Sequence, residues 1–274
     1  MQMEFKNFLL SISDKVATVS INRPEKSNAF TLDMWTELKT VFDHVSTLPE
    51  ARVVLLTGEG KNFCAGMDLN AFAQMPDIIH SDDDAEKEAK LKTFILGLQS
   101  GMNAIEQCRV PVIAAIQKAC IGGGINLAAA CDMRYCSDDA YFSIKEVDLG
   151  IVCDLGALQR MPVFMNPSIV AEMAYTGRKI TASEAAQTGL VSQSLSSQEE
   201  MMDTVTQLAK TIAAKPPTII RGIKKIMLDQ RDNSVNDALD NVATHNSKHL
   251  FSEDLAEAMR AYMTKTEPKF KDPV

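Results

Sequence analysis

Three glycines in a row, Gly122, Gly123 and Gly124, stand shortly behind one apolar run and immediately before another. The first run, Val110-Pro111-Val112-Ile113-Ala114-Ala115-Ile116, reads as a buried strand, with Pro111 near its start where a missing donor is tolerated. Asn126 to Cys131 reads as a helix. A residue without Cβ lets its backbone come close to a neighbouring strand or to a ligand, so the triplet marks a strand–glycine–helix junction. Tight packing alone accounts for such glycines, and the G-x-G-x-x-G spacing of a dinucleotide site is absent, Leu127 being the third position after Gly124.

A second junction of the same kind gives the triplet more meaning. Val53-Val54-Leu55-Leu56 is another strand-like run, Gly58-Glu59-Gly60 turns the chain, and Cys64-Ala65-Gly66-Met67-Asp68 leads into a helix. Helix starts carry free N–H groups and favour negative charge. Two such ends brought together offer two donors to one carbonyl oxygen. Two carboxylates, Glu146 and Asp154, follow in apolar surroundings, so that acyl-carbonyl chemistry has both an oxyanion site and acid/base groups. Val147, Leu149, Ile151, Val152 and Leu155 are expected to push at least one of these carboxyls up towards neutrality.

The rest of the chain reads as an α/β core followed by helices. Phe8 to Ser13 and Val16 to Asn22 alternate around Ser13-Asp14-Lys15 as a β-hairpin. Thr31 is placed to cap a helix whose apolar positions are Met34, Trp35, Leu38, Val41, Phe42, Val45 and Leu48. Met75 to Ala89, with Asp82-Asp83-Asp84, is the least orderly stretch and reads as a solvated loop or helix start. Helical spacing resumes from Leu91 to Ile105. Arg134 to Cys136 and Ala140 to Ser143 read as short strands. Beyond Gly156 come helices over 168–175, 181–187, 197–214, 218–230, 235–249 and 253–264, the third opening with a capping box from Ser197 to Glu200. The expected division is an α/β region over 1–195 and a helical region over 196–274.

Composition narrows the partners. A net charge of −8 over 274 residues argues against a broad nucleic-acid or anionic-membrane surface. No apolar run approaches the ~20 residues of a membrane span. Six cysteines without a C-x-x-C pair read as reduced, buried thiols. The first residues make no signal-peptide pattern and the last four are no SKL-type address, so a cytoplasmic protein is expected, with mitochondrial matrix and peroxisome left open. His245 and His249, spaced i, i+4 without a third ligand, read as a solvated helix face, and Asp132 as a turn or pairing residue.

The ordered set of motifs resembles the crotonase superfamily of enoyl-CoA hydratases and isomerases over nearly the whole chain. The matching pieces are Asn22-Arg23-Pro24 with Asn28-Ala29, Phe63 through Leu69, Gly122-Gly123-Gly124 with Cys131-Asp132, Glu146 through Gly150, Gln159-Arg160, Thr176 through Val191, and Ser252 through Phe270. Within it, Lys145 through Arg160 looks most like the Δ3,5-Δ2,4-dienoyl-CoA isomerases. The resemblance implies a ββα spiral core with a C-terminal helical trimerisation region. It implies backbone N–H groups of Met67 and Gly123 as the oxyanion hole and Glu146 and Asp154 as the proton carriers. Asp154 is assigned here as the base at C2 and Glu146 as the donor at C6, with the reverse assignment left open. It places Lys26, Asn28, Ala29, Phe30, Ala65, Gly66 and Asp68 in segments that hold coenzyme A. It implies an acyl-CoA thioester as substrate, no metal or redox cofactor, and a homotrimer or hexamer. Asn126 departs from the pattern, standing where hydratases place a first glutamate and dienoyl isomerases an aspartate. An amide is no general base, which argues against two-glutamate hydration and leaves the two-carboxylate shuttle intact. The readings carried beside it are a Δ3-Δ2 enoyl-CoA isomerase using Glu146 alone, a hydratase, and a catalytically silent CoA-binding or assembly module.

Overall fold

The computed structural model describes residues 4–74 and 79–272. Its centre is a six-stranded sheet. β1 (Phe8–Ser13) and β2 (Val16–Ile21) form the expected antiparallel hairpin, and β3 (Val53–Gly58), β4 (Val112–Ile116), β6 (Met133–Ser137) and β9 (Gln193–Leu195) extend it in parallel, in the order β1-β2-β3-β4-β6-β9. A second, smaller sheet holds β5 (Ala119–Ile121), β7 (Tyr141–Ser143) and β8 (Ile180–Thr181).

The chain climbs by alternating between these sheets. β4 lies in the large sheet and β5 in the small one, followed by helix α4 (Gly123–Ala130); β6 and β7 repeat the move. β3 makes the same step, because the residues after it reach the small sheet through a parallel bridge from Cys64 to Cys120. These repeated strand–strand–helix turns are the spiral that the motifs imply.

Continuous apolar strands need cover on both faces, and both are covered. On one face Val19, Ile21, Val54, Leu56, Ala114 and Ile116 join the main core. It includes Trp35, Leu38 and Phe42 of α1 (Leu32–Thr47) and Met102 and Ile105 of α3 (Asp84–Glu106). On the other face Val16, Val53, Leu55, Ile113 and Ala115 meet α8 (Gln198–Ala213), whose Met201, Val205, Ala209 and Ala213 recur every four residues. This first helix of the C-terminal region therefore closes the sheet rather than standing apart from it.

Several local expectations shift. α3 starts at Asp84, not near Leu91, because Asp83 caps it by accepting N–H bonds from Ala85 and Glu86. Residues 75–78, in the stretch read as least orderly, lie outside the described residues. Ser197 caps α8, but Glu200 reaches Ser196 rather than closing a box on Ser197. A short helix α2 spans Leu69–Ala73, and α5 (Ala157–Arg160), α6 (Pro167–Thr176) and α7 (Ala182–Thr188) follow the small sheet's strands.

Asp132 pairs across the fold. Its Oδ2 accepts from the Val112 N–H (2.7 Å) and from Lys224 Nζ (2.7 Å), and Lys224 also donates to the Val110 carbonyl (3.1 Å). Lys224 thus ties α9 (Pro217–Asp229) to the start of the central strand β4. Lys224→Met leaves the carboxylate half its partners. We expect it to lower unfolding free energy by about 2–3 kcal/mol, the modest end for a buried pair because Asp132 keeps a quarter of its side chain exposed. Urea denaturation at fixed protein concentration checks this.

Candidate active site

Two backbone amides are left over where the sheets meet. A parallel bridge joins Phe30 to Met67, with the Phe30 N–H donating to Gly66 O (2.8 Å) and the Asp68 N–H to Phe30 O (2.9 Å). In that pattern the amide of the middle residue, Met67, points away from its partner strand. Gly123 opens α4, where a helix has no internal acceptor for its first N–H. Neither amide has a hydrogen-bond partner among the described residues. The two segments nearly touch, since a Cβ built on Gly66 would lie 3.5 Å from the Gly123 nitrogen. The triplet is needed here: a Cβ on Gly123 would meet Trp35 at 2.8 Å, and one on Gly124 the Cys64 carbonyl at 2.6 Å. The sequence suggested that a helix start frees Met67; the bridge does so instead, α2 beginning two residues later.

Both amide-bearing residues line a cavity of about 590 Å³. Trp35, Leu91, Ile95, Leu98, Ile121 and Leu155 make its walls mostly apolar, and Glu146 and Asp154 lie on the same wall surface. Burial raises both carboxyls above their ordinary values, and for Glu146 the charge of Asp154 adds to the effect. The cause differs in part from the sequence reading. Of the chain neighbours, Leu149, Ile151 and Leu155 line the cavity, whereas Val147 and Val152 do not and Val152 is 74% exposed, so helix α3 and Trp35 supply the rest of the apolar wall.

Asn126 is completely buried between the two carboxylate-bearing segments. Its Nδ2 donates to Glu146 Oε1 (3.1 Å) and Gly122 O (3.0 Å), and its Oδ1 accepts the Ala157 N–H (2.8 Å). Glu146 Oε2 is buried with no partner among the described residues.

A sequence model described as enoyl-CoA hydratase/isomerase matches residues 11–273. This protein is an enzyme of the enoyl-CoA hydratase/isomerase family. The chain is 45% identical over 251 residues to a peroxisomal Δ(3,5)-Δ(2,4)-dienoyl-CoA isomerase of Arabidopsis thaliana, covering 91% of this chain and 90% of that one. It is 41% identical over 254 residues to the mitochondrial Δ(3,5)-Δ(2,4)-dienoyl-CoA isomerase of Homo sapiens, covering 92% and 77%. Among solved structures, one described as a putative enoyl-CoA hydratase from Streptomyces coelicolor A3(2) superposes with a TM-score of 0.90 at 26% identity, over all of this chain and 97% of that one.

In this hydratase/isomerase the predicted residues divide. Met67, Gly123, Glu146 and Asp154 come together on one cavity, with Ala65 and Gly66 on its rim. Asn126 stands behind Glu146 rather than facing the cavity. Of the residues assigned to coenzyme A, Asn28 and Phe30 have fully buried side chains, leaving their backbone as what a ligand would meet. Asn28 accepts from the Arg23 N–H and donates to Glu59 O and Asn62 O, knotting two loops. Phe30 packs on Trp35 with ring centroids 4.6 Å apart and serves the site through its backbone bridge. Asp68 pairs with Arg23 at 2.7 Å, which holds its carboxyl below the usual range. Lys26 is an exposed cation, and Ala29 gives its carbonyl to Arg23. The sequence reading missed Trp35 as a cavity residue, reading it only as core. It missed Cys153 too, whose thiol lies 3.5 Å from Asn126 Nδ2 and is pushed up to about 12 by burial.

Raised carboxyls bear on stability as well as chemistry. A folded chain that holds a proton more tightly than the unfolded one loses stability as pH climbs from the unfolded value through the folded one. Glu146 and Asp154 therefore contribute most at low pH, and the loss sets in above their ordinary values of 4.5 and 3.8. Glu146→Gln and Asp154→Asn are expected to be more stable than the parent at pH 8, an advantage that disappears near pH 4. Melting temperatures across that range test it.

Proposed function

We propose that this enzyme isomerises a 3,5-dienoyl-CoA to the 2,4-dienoyl-CoA. The observation that carries the reading is the gathering of two desolvated carboxyls and two unpartnered amides in the lining of one apolar cavity. A thioester oxygen on the Met67 and Gly123 amides gains its full negative charge only when a proton leaves C2, so these donors favour the dienolate over the substrate. Asp154, as the ionised partner, takes that proton. Glu146, whose carboxyl burial and the charge of Asp154 push above its ordinary value, delivers its proton to C6. Asn126 holds Glu146 Oε1 and leaves Oε2 without a partner among the described residues. The transfers use only the two acids and the two amides. Two relatives bearing this activity in their names, at 41 and 45% identity, support the assignment.

Hydration is the weaker reading. It needs two carboxylates around one water, and Asn126, with its oxygen engaged by Ala157 and its nitrogen by Glu146, supplies no base. A soluble compartment suits the reading, cytoplasmic as the sequence suggests or an organelle matrix as in the relatives' names; no described helix is long and apolar enough to cross a membrane.

We assign homotrimers, alone or paired as hexamers, to the C-terminal helices. α10 (Val235–His249) buries none of its residues and α11 (Glu253–Thr264) only Ala261, while Phe251 is 94% exposed. Sedimentation at micromolar concentration should give a trimer or larger, and a monomer would overturn this assignment.

For the reaction, the absorbance of 3,5-dienoyl-CoA should convert to that of 2,4-dienoyl-CoA. Asp154→Asn and Glu146→Gln should each lower the rate by about a hundredfold or more. Water addition to a 2-enoyl-CoA without dienoyl turnover would sink the assignment, and turnover of 3-enoyl-CoA alone would replace it with the one-carboxylate isomerase.

A further inference from the structure

Asp154 belongs to two cavities. Beside the apolar one lies a chamber of about 380 Å³ lined by Gln99, Asn103, Glu106, Gln159 and Arg160. Asp154 and Leu155 are the only described residues common to both linings. The two spaces differ in chemistry. Glu106 accepts from Arg160 Nη2 at 2.9 Å and from Arg231, and Arg160 Nη2 also reaches Asn103 Oδ1 at 2.8 Å. Burial works against the charge of Glu106, but the two arginines outweigh it and hold the carboxyl below its usual range. Arg160 Nε is buried without a partner among the described residues, a donor that water in the chamber would satisfy. Asn103 and Gln159 are exposed and open the chamber to solvent. Water takes about 30 Å³ per molecule, so the chamber has room for a connected file. Gln99 fixes the wall by donating to the Asp154 carbonyl at 2.6 Å.

Resting on the isomerase reading, a turnover leaves Asp154 protonated and Glu146 ionised, and both must be reset. We propose that the polar chamber is the proton exit of the enzyme. The Asp154 O–H bond breaks toward chamber water, the proton passes to bulk solvent, and the carboxylate is restored. Glu146 takes one proton from water admitted to the acyl cavity as product leaves. One proton goes out and one comes in, with no net change. The competing route is direct return of the proton from Asp154 to Glu146 inside the apolar cavity, without meeting solvent.

Isotope transfer separates the routes. Substrate deuterated at C2 is turned over many times in ordinary water, and deuterium at C6 of the product is read by mass spectrometry and NMR. With the chamber as exit, deuterium is washed from Asp154 before the next cycle, and C6 carries solvent hydrogen. Gln159→Trp changes an exposed side chain that makes no hydrogen bond among the described residues, and it narrows the mouth. Combined with Asn103→Leu, it should lower kcat about tenfold with KM little changed, and carry C2 deuterium into C6. Gln159→Trp alone should move both readouts in the same direction if the double variant fails to fold. Deuterium at C6 in most product of the unaltered enzyme would overturn the exit while leaving the isomerase standing. Folded variants that match the parent in rate and in C6 label would overturn it too. No turnover of the dienoyl substrate by the unaltered enzyme would remove both.

Discussion

The whole site hangs on how closely residues 64–67 approach residues 120–124. Cys64 is bonded to the small sheet on one side, through its N–H to Ala119 O (2.9 Å) and its carbonyl to Ile121 N (3.0 Å). On the other side Ala65, Gly66 and Asp68 are bonded to Ser27 and Phe30. A strand held on both flanks has almost all its polar groups satisfied, and Met67 N–H is the exception because its direction in the Phe30 bridge sends it toward α4. The close approach demands glycine at 123 and 124, where any side chain would strike Trp35 or the Cys64 carbonyl. Oxyanion stabilisation depends on donors fixed before the charge develops. For the oxyanion role proposed above, the fixing would come from sheet pairing and from the packing of Phe30 on Trp35, not from side chains that must be ordered on binding.

The carboxylates depend on the same frame. Glu146 enters the cavity from the turn after β7, and its carboxyl lies beside Gly122, whose φ of +52° is the left-handed backbone that favours glycine. Asn126, one helical turn into α4, binds Glu146 with its nitrogen and the start of α5 with its oxygen. An aspartate at 126 would set a second negative charge against a buried carboxyl and offer no donor to it. The amide instead joins the start of α4, Glu146 and the Cys153–Ala157 segment that carries Asp154. Asn126 thus ties the carboxyl of Glu146 to the segment that carries Asp154 without adding charge.

Much of this was legible in the chain because it rests on local patterns. The helix of α1, the runs of β3 and β4, and the ends of α10 and α11 follow from apolar spacing and from Ser caps. The glycine triplet pointed to the right junction. What escaped was set by distant partners. β5, β8 and β9 are two or three residues long, too short to show any alternation, and exist because neighbouring strands supply their bonds. Asn28 looks like a polar loop residue open to a ligand until Glu59 and Asn62, thirty residues on, turn out to hold it. Of the neighbours read as an apolar shield for the acids, Leu149, Ile151 and Leu155 do line the cavity, but Val147 and Val152 do not, and Leu91, Ile95 and Leu98 of α3 complete the wall.

The C-terminal helices are tied down at their flanks and almost unburied between them. α8 is part of the core, and α9 is anchored by Lys224 on Asp132. Arg52 draws the tail back by donating to Phe270 O (2.7 Å) and pairing with Asp272 (2.8 Å). Between these anchors α10 and α11 form helical structure with almost nothing buried, and Val235, Leu239, Tyr262 and Met263 each leave well over half their surface in contact with water. Isolated helices of this length are marginal without packing of an apolar face. The trimer proposed above would supply that packing, and the two anchors would then serve to present the face rather than to hide it.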